Sequence, residues 1–203
     1  MLESMTLYAP LRIETLSPAA TRNSDLLAQL VELINQVYAV AEEGLWQAGT
    51  PRVTAPEIAD LVATGQIAVA YRGEDLVGSI RVHDVGPDKS EFGMLVSAPE
   101  QRGTGIGREL VAYAERHARN RGRRAMQLEL LVPRHGRHPS KDFLASWYAR
   151  IGYRVLATRQ VADAYPQLAP LLAVPCELLV YDKPLSPERG LVNSPATARE
   201  PRR

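Results

Sequence analysis

Apolar and polar positions alternate through "LRIETL", Leu11 to Leu16, which predicts a half-buried first strand. Beyond Asp25 the period changes. Leu27, Leu30, Val31, Ile34 and Tyr38 recur at helical spacing and form the stripe of an amphipathic helix. Glycines and a proline in "EEGLWQAGTPR" interrupt it. Thr54 and Glu57 then stand at capping-box spacing before a short helix carrying Ile58, Leu61 and Val62, which Gly65 ends. "IAVAYR", the turn "GED" and "LVGSIRVHDV" predict an antiparallel hairpin, and "GPDKS" turns the chain into a third strand, "EFGMLVS".

A helix follows with Leu110, Val111, Ala114 and Ala118 on one face, stopping at Gly122 before the strand "AMQLELLV". Strand, helix and strand in this order imply a right-handed crossover and parallel pairing. "PRHGRHPS" is a polar loop, and "KDFLASWYARI" predicts a helix with Phe143, Leu144, Trp147 and Ile151 on its apolar side, closed by Gly152. "YRVLATRQV", a short helical "ADAYPQLAPLLA" and a last strand "ELLVYDKPL" complete the series. The fold class is therefore α/β (α+β), a mixed sheet with helices on both faces. From residue 186 to 203 the chain is polar and proline-rich, with too little apolar surface to repay ordering. It is expected to be a flexible tail on a single domain spanning 1–185.

Composition narrows the class. The 203 residues are 45% hydrophobic and 23% charged, enough for one ordinary core and too few for a comfortable second domain. A formal net charge of +1 gives no global case for nucleic acid or an anionic membrane. The basic knot "RHARNRGRR" ends a helix, where cations complement the negative end of the dipole. One cysteine, Cys176, excludes an internal disulfide framework, and a small core residue is its expected role rather than an acyl-accepting nucleophile. His135 and His138 share a loop with Asp142 nearby, but no further ligand has zinc spacing, so no metal is expected. The start lacks a basic n-region and a continuous apolar h-region, and no apolar run approaches bilayer length. A cytoplasmic location is expected.

The stretch with the most pointed chemistry is "LVSAPEQRGTGIGREL". It sets Gly103, Gly105 and Gly107 at the mouth of a helix, at the end of a strand where open α/β sheets bind ligands. A dinucleotide fingerprint starting at Gly103 needs a third glycine where Arg108 stands, and one starting at Gly105 meets Leu110 instead. A Walker loop needs a Lys-Ser or Lys-Thr pair after the glycines, and none follows. What remains is Arg102-Gly103-Thr104-Gly105-Ile106-Gly107-Arg108, a nest of N–H groups flanked by two arginines, suited to a diphosphate.

R-x-x-G-x-G, here Arg102 to Gly107, resembles the pyrophosphate-binding signature of the GNAT superfamily of N-acetyltransferases. "WYARIGY", Trp147 to Tyr153, is similar to that family's Y-x-x-x-G-[FY] segment. The likeness spans roughly residues 11–185. It implies a GNAT-like, mostly antiparallel twisted sheet of about seven strands, and acetyl-CoA as acyl donor. By the same resemblance, backbone groups of Leu95, Val96 and Ser97 pair with the pantetheine arm, and the N–H groups from Arg102 to Arg108 hold the pyrophosphate. Where the family often has an asparagine, this chain has Lys141, so Lys141 or Ser140 is expected on a CoA phosphate.

Acetyl transfer to an amine needs a neutral amine, a stabilised oxyanion and a proton for the departing sulfur. A free thiol titrates at about 8.5 and a tyrosine at about 10, so the thiolate is already a fair leaving group and positioning supplies much of the acceleration. Tyr148 falls on the family's acid position. Glu91 or Glu129 is the expected base, Glu129 as a lone carboxylate in an apolar strand that invites a raised pKa. A backbone N–H near Leu95 meets the oxyanion. Glu42, Glu43 and Trp46, between the first two helices, are expected to receive a cationic, partly apolar amine. The implied function is an acetyl-CoA-dependent N-acetyltransferase acting on a small-molecule primary amine by direct attack in a ternary complex, with a homodimer by analogy. The alternative is a non-catalytic acyl-CoA sensor of the same fold.

Overall fold

The predicted elements form in the predicted order. The structure is a computed structural model that describes residues 9–185, so the expected tail at 186–203 lies outside the described residues. Chain order runs β1 (Leu11–Thr15), α1 (Ser24–Ala41), α2 (Ala55–Ala63), β2 (Ile67–Arg72), β3 (Asp75–Asp84), β4 (Lys89–Ser97), α3 (Ile106–Asn120), β5 (Ala125–Pro133), α4 (Pro139–Arg150), β6 (Arg154–Gln160), α5 (Val161–Ala164) and β7 (Cys176–Pro184). One seven-stranded sheet has the order β1-β2-β3-β4-β5-β7-β6. Only the β4–β5 pair is parallel, as the crossover through α3 requires.

Helix boundaries follow from local chemistry. Thr54 and Glu57 close the capping box of α2: Thr54 Oγ1 accepts from Glu57 N, and Glu57 Oε2 accepts from Thr54 N at 2.7 Å. At the other end of α4, Gly152 takes φ +99°, and Tyr153 N donates to Tyr148 O at 3.0 Å. That bond and Gly152 N to Ala149 O form a Schellman cap, which a residue without a β-carbon makes at least cost. The same pair of bonds closes α2 at Gly65 and α3 at Gly122.

Alternation sorts the strand residues between the two faces of the sheet. Ala68 and Ala70 of β2 face α3, whose Leu110, Val111, Ala114 and Ala118 are buried as the periodicity predicts. Ile67 and Val69 face the other way, onto Leu30, Ile34, Ile58 and Val62 of α1 and α2. Helices thus cover both faces. One expectation fails on α4: Phe143 is 60% exposed. The inward stripe is Lys141, Leu144, Tyr148 and Ile151, and Phe143 sits two residues, about 200°, from Lys141 on the helix. The basic knot after α3 is tied down, with Arg121 and Arg123 both donating to Asp84 Oδ2, at 2.9 and 2.7 Å.

The approach of α3 to the sheet depends on a missing side chain. A β-carbon on Gly78 of β3 would lie 2.8 Å from Val96 O, 3.0 Å from Ile106 Cγ2 and 3.1 Å from Leu110 Cδ1. Neither the β4 backbone nor the start of α3 can yield that space without shifting the glycine loop. Gly78→Ala should therefore lower unfolding free energy by about 1–3 kcal/mol in a urea titration. An unchanged midpoint would mean that α3 is loosely seated.

Candidate active site

β4 and β5 run side by side for only three residue pairs, Lys89 with Ala125, Ser90 with Met126 and Glu91 with Gln127. Beyond Glu91 they diverge. The cause lies in β4, where Arg81 of β3 faces Gly93 but Ser79 faces Val96, so one extra β4 residue is accommodated. Met94 has φ +49°, a left-handed conformation that a non-glycine residue adopts at a cost. A bulge bends and twists its strand. From Phe92 to Ser97 the β4 edge facing β5 therefore carries backbone groups with no ladder to join.

A cavity of about 560 Å³ occupies this divergence, walled by Phe92, Gly93, Met94 and Leu95 of β4 and by Leu128 to Leu131 of β5. Glu91 and Tyr148 also line it. α3 begins at the far end of β4. A β-carbon on Gly107 would stand 3.7 Å from Ser97 Oγ and 3.9 Å from Trp147, so the helix start, the strand end and α4 meet there. Gly103 and Gly105 take φ +82° and +89°, and nothing lies within 4 Å of where their β-carbons would be. Their glycines answer to backbone conformation and leave the loop open to an approaching group. Arg102 and Arg108 are exposed beside them.

Tyr148 is buried among aromatic rings, with Trp147 at 5.0 Å, Tyr181 at 5.9 Å, Phe92 at 6.0 Å and Tyr153 at 6.1 Å between centroids. Burial pushes its phenol pKa far up, and the nearby Tyr38 and Tyr181 add to the shift, so the hydroxyl keeps its proton. Glu91 is half-buried. Desolvation raises its pKa against the opposing hydrogen bond from Gln127 Nε2, 2.7 Å from Oε2. His83, opposite Glu91 in the β3–β4 register, places Nε2 3.8 Å from Glu91 Oε1. Burial and then Arg81 lower the His83 pKa, which keeps the ring neutral at pH 7. Glu129 is not the lone carboxylate its apolar strand promised. It accepts from Arg159 Nη1 at 2.8 Å and Tyr165 Oη at 2.7 Å.

The other wall holds a buried ionic cluster. Glu42, just past α1, accepts from Lys141 Nζ at 2.6 Å through Oε1 and from Trp46 Nε1 at 2.7 Å through Oε2. Arg52 Nε lies 3.0 Å from the same Oε2, an ion pair whose N–H is not aimed along the hydrogen-bond line. The Arg52 guanidinium stacks 3.5 Å over the Trp46 ring. Asn35 of α1 fixes this segment, its Oδ1 accepting from Arg52 N at 2.8 Å and Val53 N at 3.1 Å. Two expectations change here. Glu42 has its oxygens occupied by protein groups and is not free for an ammonium, and Glu43 is exposed and outside the cavity lining. Lys141, expected on a CoA phosphate, is gathered into this cluster with its ammonium on Glu42. Ser140 is half-buried at the start of α4, outside the cavity lining.

Arg52, His83, Asn35 and Tyr165 escaped the sequence reading. Period-2 spacing in "RVHD" could have set Arg81 and His83 on one face, but no local pattern announces Arg52.

The sequence profile of the acetyltransferase (GNAT) family matches residues 31–145, and the chain belongs to that family. No curated protein sequence matches it. Among solved structures it is similar to the PaiA N-acetyltransferase of Thermoplasma acidophilum in complex with coenzyme A, at 16% identity and TM-score 0.62 over 86% of this chain and 99% of that one. YncA of Salmonella typhimurium, solved with acetyl-CoA, gives 16% and 0.61 over 88% and 95%. An aminoglycoside 6'-acetyltransferase type Ii gives 20% and 0.60 over 87% and 98%. At these identities the likeness is one of fold.

Breaking the buried cluster has a defined cost. Glu42→Gln would leave two cations on a neutral amide and should reduce stability by about 3–5 kcal/mol in chemical denaturation. Lys141→Met should cost less, because Arg52 and Trp46 still hold the carboxylate. Equal, small effects would show that water reaches all three groups.

Proposed function

We propose that this acetyltransferase-family chain is an acetyl-CoA-dependent N-acetyltransferase that moves the acetyl group to a primary amine by direct attack in a ternary complex. The observation that carries this reading is the gap between β4 and β5, with Glu91 and Tyr148 on its walls and the glycine loop at its outer end. The residues fit the donor. Arg102 N and Thr104 N already donate to Pro99 O and Gln101 O, so the N–H groups of the first turn of α3, at Gly107 and Arg108 beside the open Gly103 and Gly105, are the ones that suit a pyrophosphate, and two exposed arginines add mobile charge. The free edge at Leu95, Val96 and Ser97 offers an extended pantetheine arm the hydrogen bonds of one more strand. Bound there, acetyl-CoA supplies an activated carbonyl and a thiolate leaving group.

The protein's own groups do the rest. Glu91, its proton affinity raised by burial, accepts the proton of the attacking amine directly or through one water. His83, held neutral beside it, does not compete as a cation. A backbone N–H freed by the bulge at Met94 and Leu95 donates to the carbonyl oxygen as charge develops on it. Tyr148 remains protonated and donates its O–H toward the departing sulfur. Its high pKa makes complete proton transfer uphill, so its contribution is hydrogen bonding more than full acid catalysis. Lys141 is assigned to the acceptor end, because its ammonium is committed to Glu42. A cavity of about 560 Å³ favours a small acceptor, and one neighbour in fold is named for such a substrate.

A thiol-release screen with acetyl-CoA over a panel of amines tests the reading. At least one amine should release free CoA. Acetyl-CoA binding without release across the panel would instead make the chain an acyl-CoA sensor. With an accepted amine, Tyr148→Phe should lower kcat by about 10–100-fold and leave acetyl-CoA affinity unchanged.

The pH profile provides a separate check. A base works deprotonated, so kcat/KM should climb as pH rises through the Glu91 pKa, with the acidic limb above the usual glutamate value of about 4.3. Glu91→Gln should flatten that limb. A limb unchanged in Glu91→Gln would remove Glu91 from the proton path.

A further inference from the structure

We infer that the acceptor is a zwitterion of amino-acid type, whose carboxylate docks on Arg52 and Lys141 while its amine faces Glu91. This rests on the acetyltransferase reading of the cavity and adds a class of substrate to it.

The charges on the α1–α4 wall do not balance. Glu42 and Lys141 side chains are each 4% exposed and Arg52 is 20% exposed, so all three sit largely out of water. They comprise two cations and one carboxylate. Lys141 spends one of three N–H donors on Glu42, and Arg52 presents its Nε edge to the same group while its face lies on Trp46. The surplus is one positive charge with unused donors, in a place where an unmatched charge is costly. A ligand carboxylate makes the cluster two against two. Phosphate or ammonium would not: the first overfills a single surplus charge, and the second adds to it.

The remaining charges that line the cavity do not cancel this surplus. Glu57 lies exposed at the rim and is engaged by Thr54, and Asp60 is exposed on the same helix. Arg81 Nε donates to Gln66 at 2.8 Å, on the β3 side. Glu129 is matched by Arg159. Glu91 alone is left to meet an amine from the sheet wall, opposite the α1–α4 side that holds the cations. An acceptor with both charges would have each end met. Leu61, Leu144 and Leu168 on the lining favour an apolar side chain between them.

Calorimetric titration of the full chain saturated with CoA is the test. The probes are leucine, methionine and phenylalanine, each as free acid, as amide and as decarboxylated amine. At least one free acid should bind about tenfold or more tightly than both its uncharged-carboxyl partners, the equivalent of about 1.4 kcal/mol. Arg52→Gln should shrink that preference to less than about threefold. Amides or amines that bind as well as the acids, or no acid that binds at all, would overturn the inference in the wild-type protein, whatever the variant's stability. The thiol-release screen is independent: amines lacking a carboxylate that release CoA with no acid preference would sink the zwitterion and leave the acetyltransferase standing.

Discussion

Two parallel strands that stop pairing after three residues leave backbone donors and acceptors without partners inside a folded protein. Buried polar groups of that kind are normally satisfied. Here β3 occupies one edge of β4 and β7 occupies the far edge of β5, so no strand of the sheet can fill the gap. The bulge at Met94 makes the divergence a property of the backbone rather than of any removable side chain. Cavity, glycine loop and aromatic wall are arranged around that one interruption. The seating of α3 against Gly78 in turn fixes the loop relative to the β4 edge.

Burial then sets the chemistry within the gap. It holds a carboxylate, Glu91, more basic than it would be in water, and a phenol, Tyr148, in its neutral form. It also keeps His83 uncharged beside Glu91. Glu91 and Tyr148 thus take the protonation states that an amine and a departing sulfur would need, through desolvation more than through specific partners. The Glu42–Lys141–Arg52 cluster is built the other way, on direct ion pairs to one carboxylate.

Much of this was legible in the sequence, and the reasons differ by element. Gly65, Gly122 and Gly152 marked helix ends because a left-handed cap favours glycine so strongly. Leu110, Val111, Ala114 and Ala118 showed the α3 face because nothing competes with apolar burial at that spacing. Glu91 and Tyr148 do line one cavity, although separate in sequence. The misjudged positions share a cause: a side chain's fate was decided by a partner far along the chain. Lys141 is buried because Glu42 is, Glu129 is paired by Arg159 and Tyr165, and Phe143 is exposed because a lysine took the inward stripe. The bulge was invisible for another reason, since Met94 carries no signature of a left-handed backbone.

On the proposed function, main-chain amides at the broken edge of β4 and at the start of α3 hold a coenzyme A thioester. Titrating uniformly ¹⁵N-labelled protein with acetyl-CoA and following its amide resonances tests this directly. The largest shifts should fall at residues 94–97 and 103–108, saturating together with one ligand bound. Saturable shifts confined to other parts of the sheet, or none at all, would contradict it.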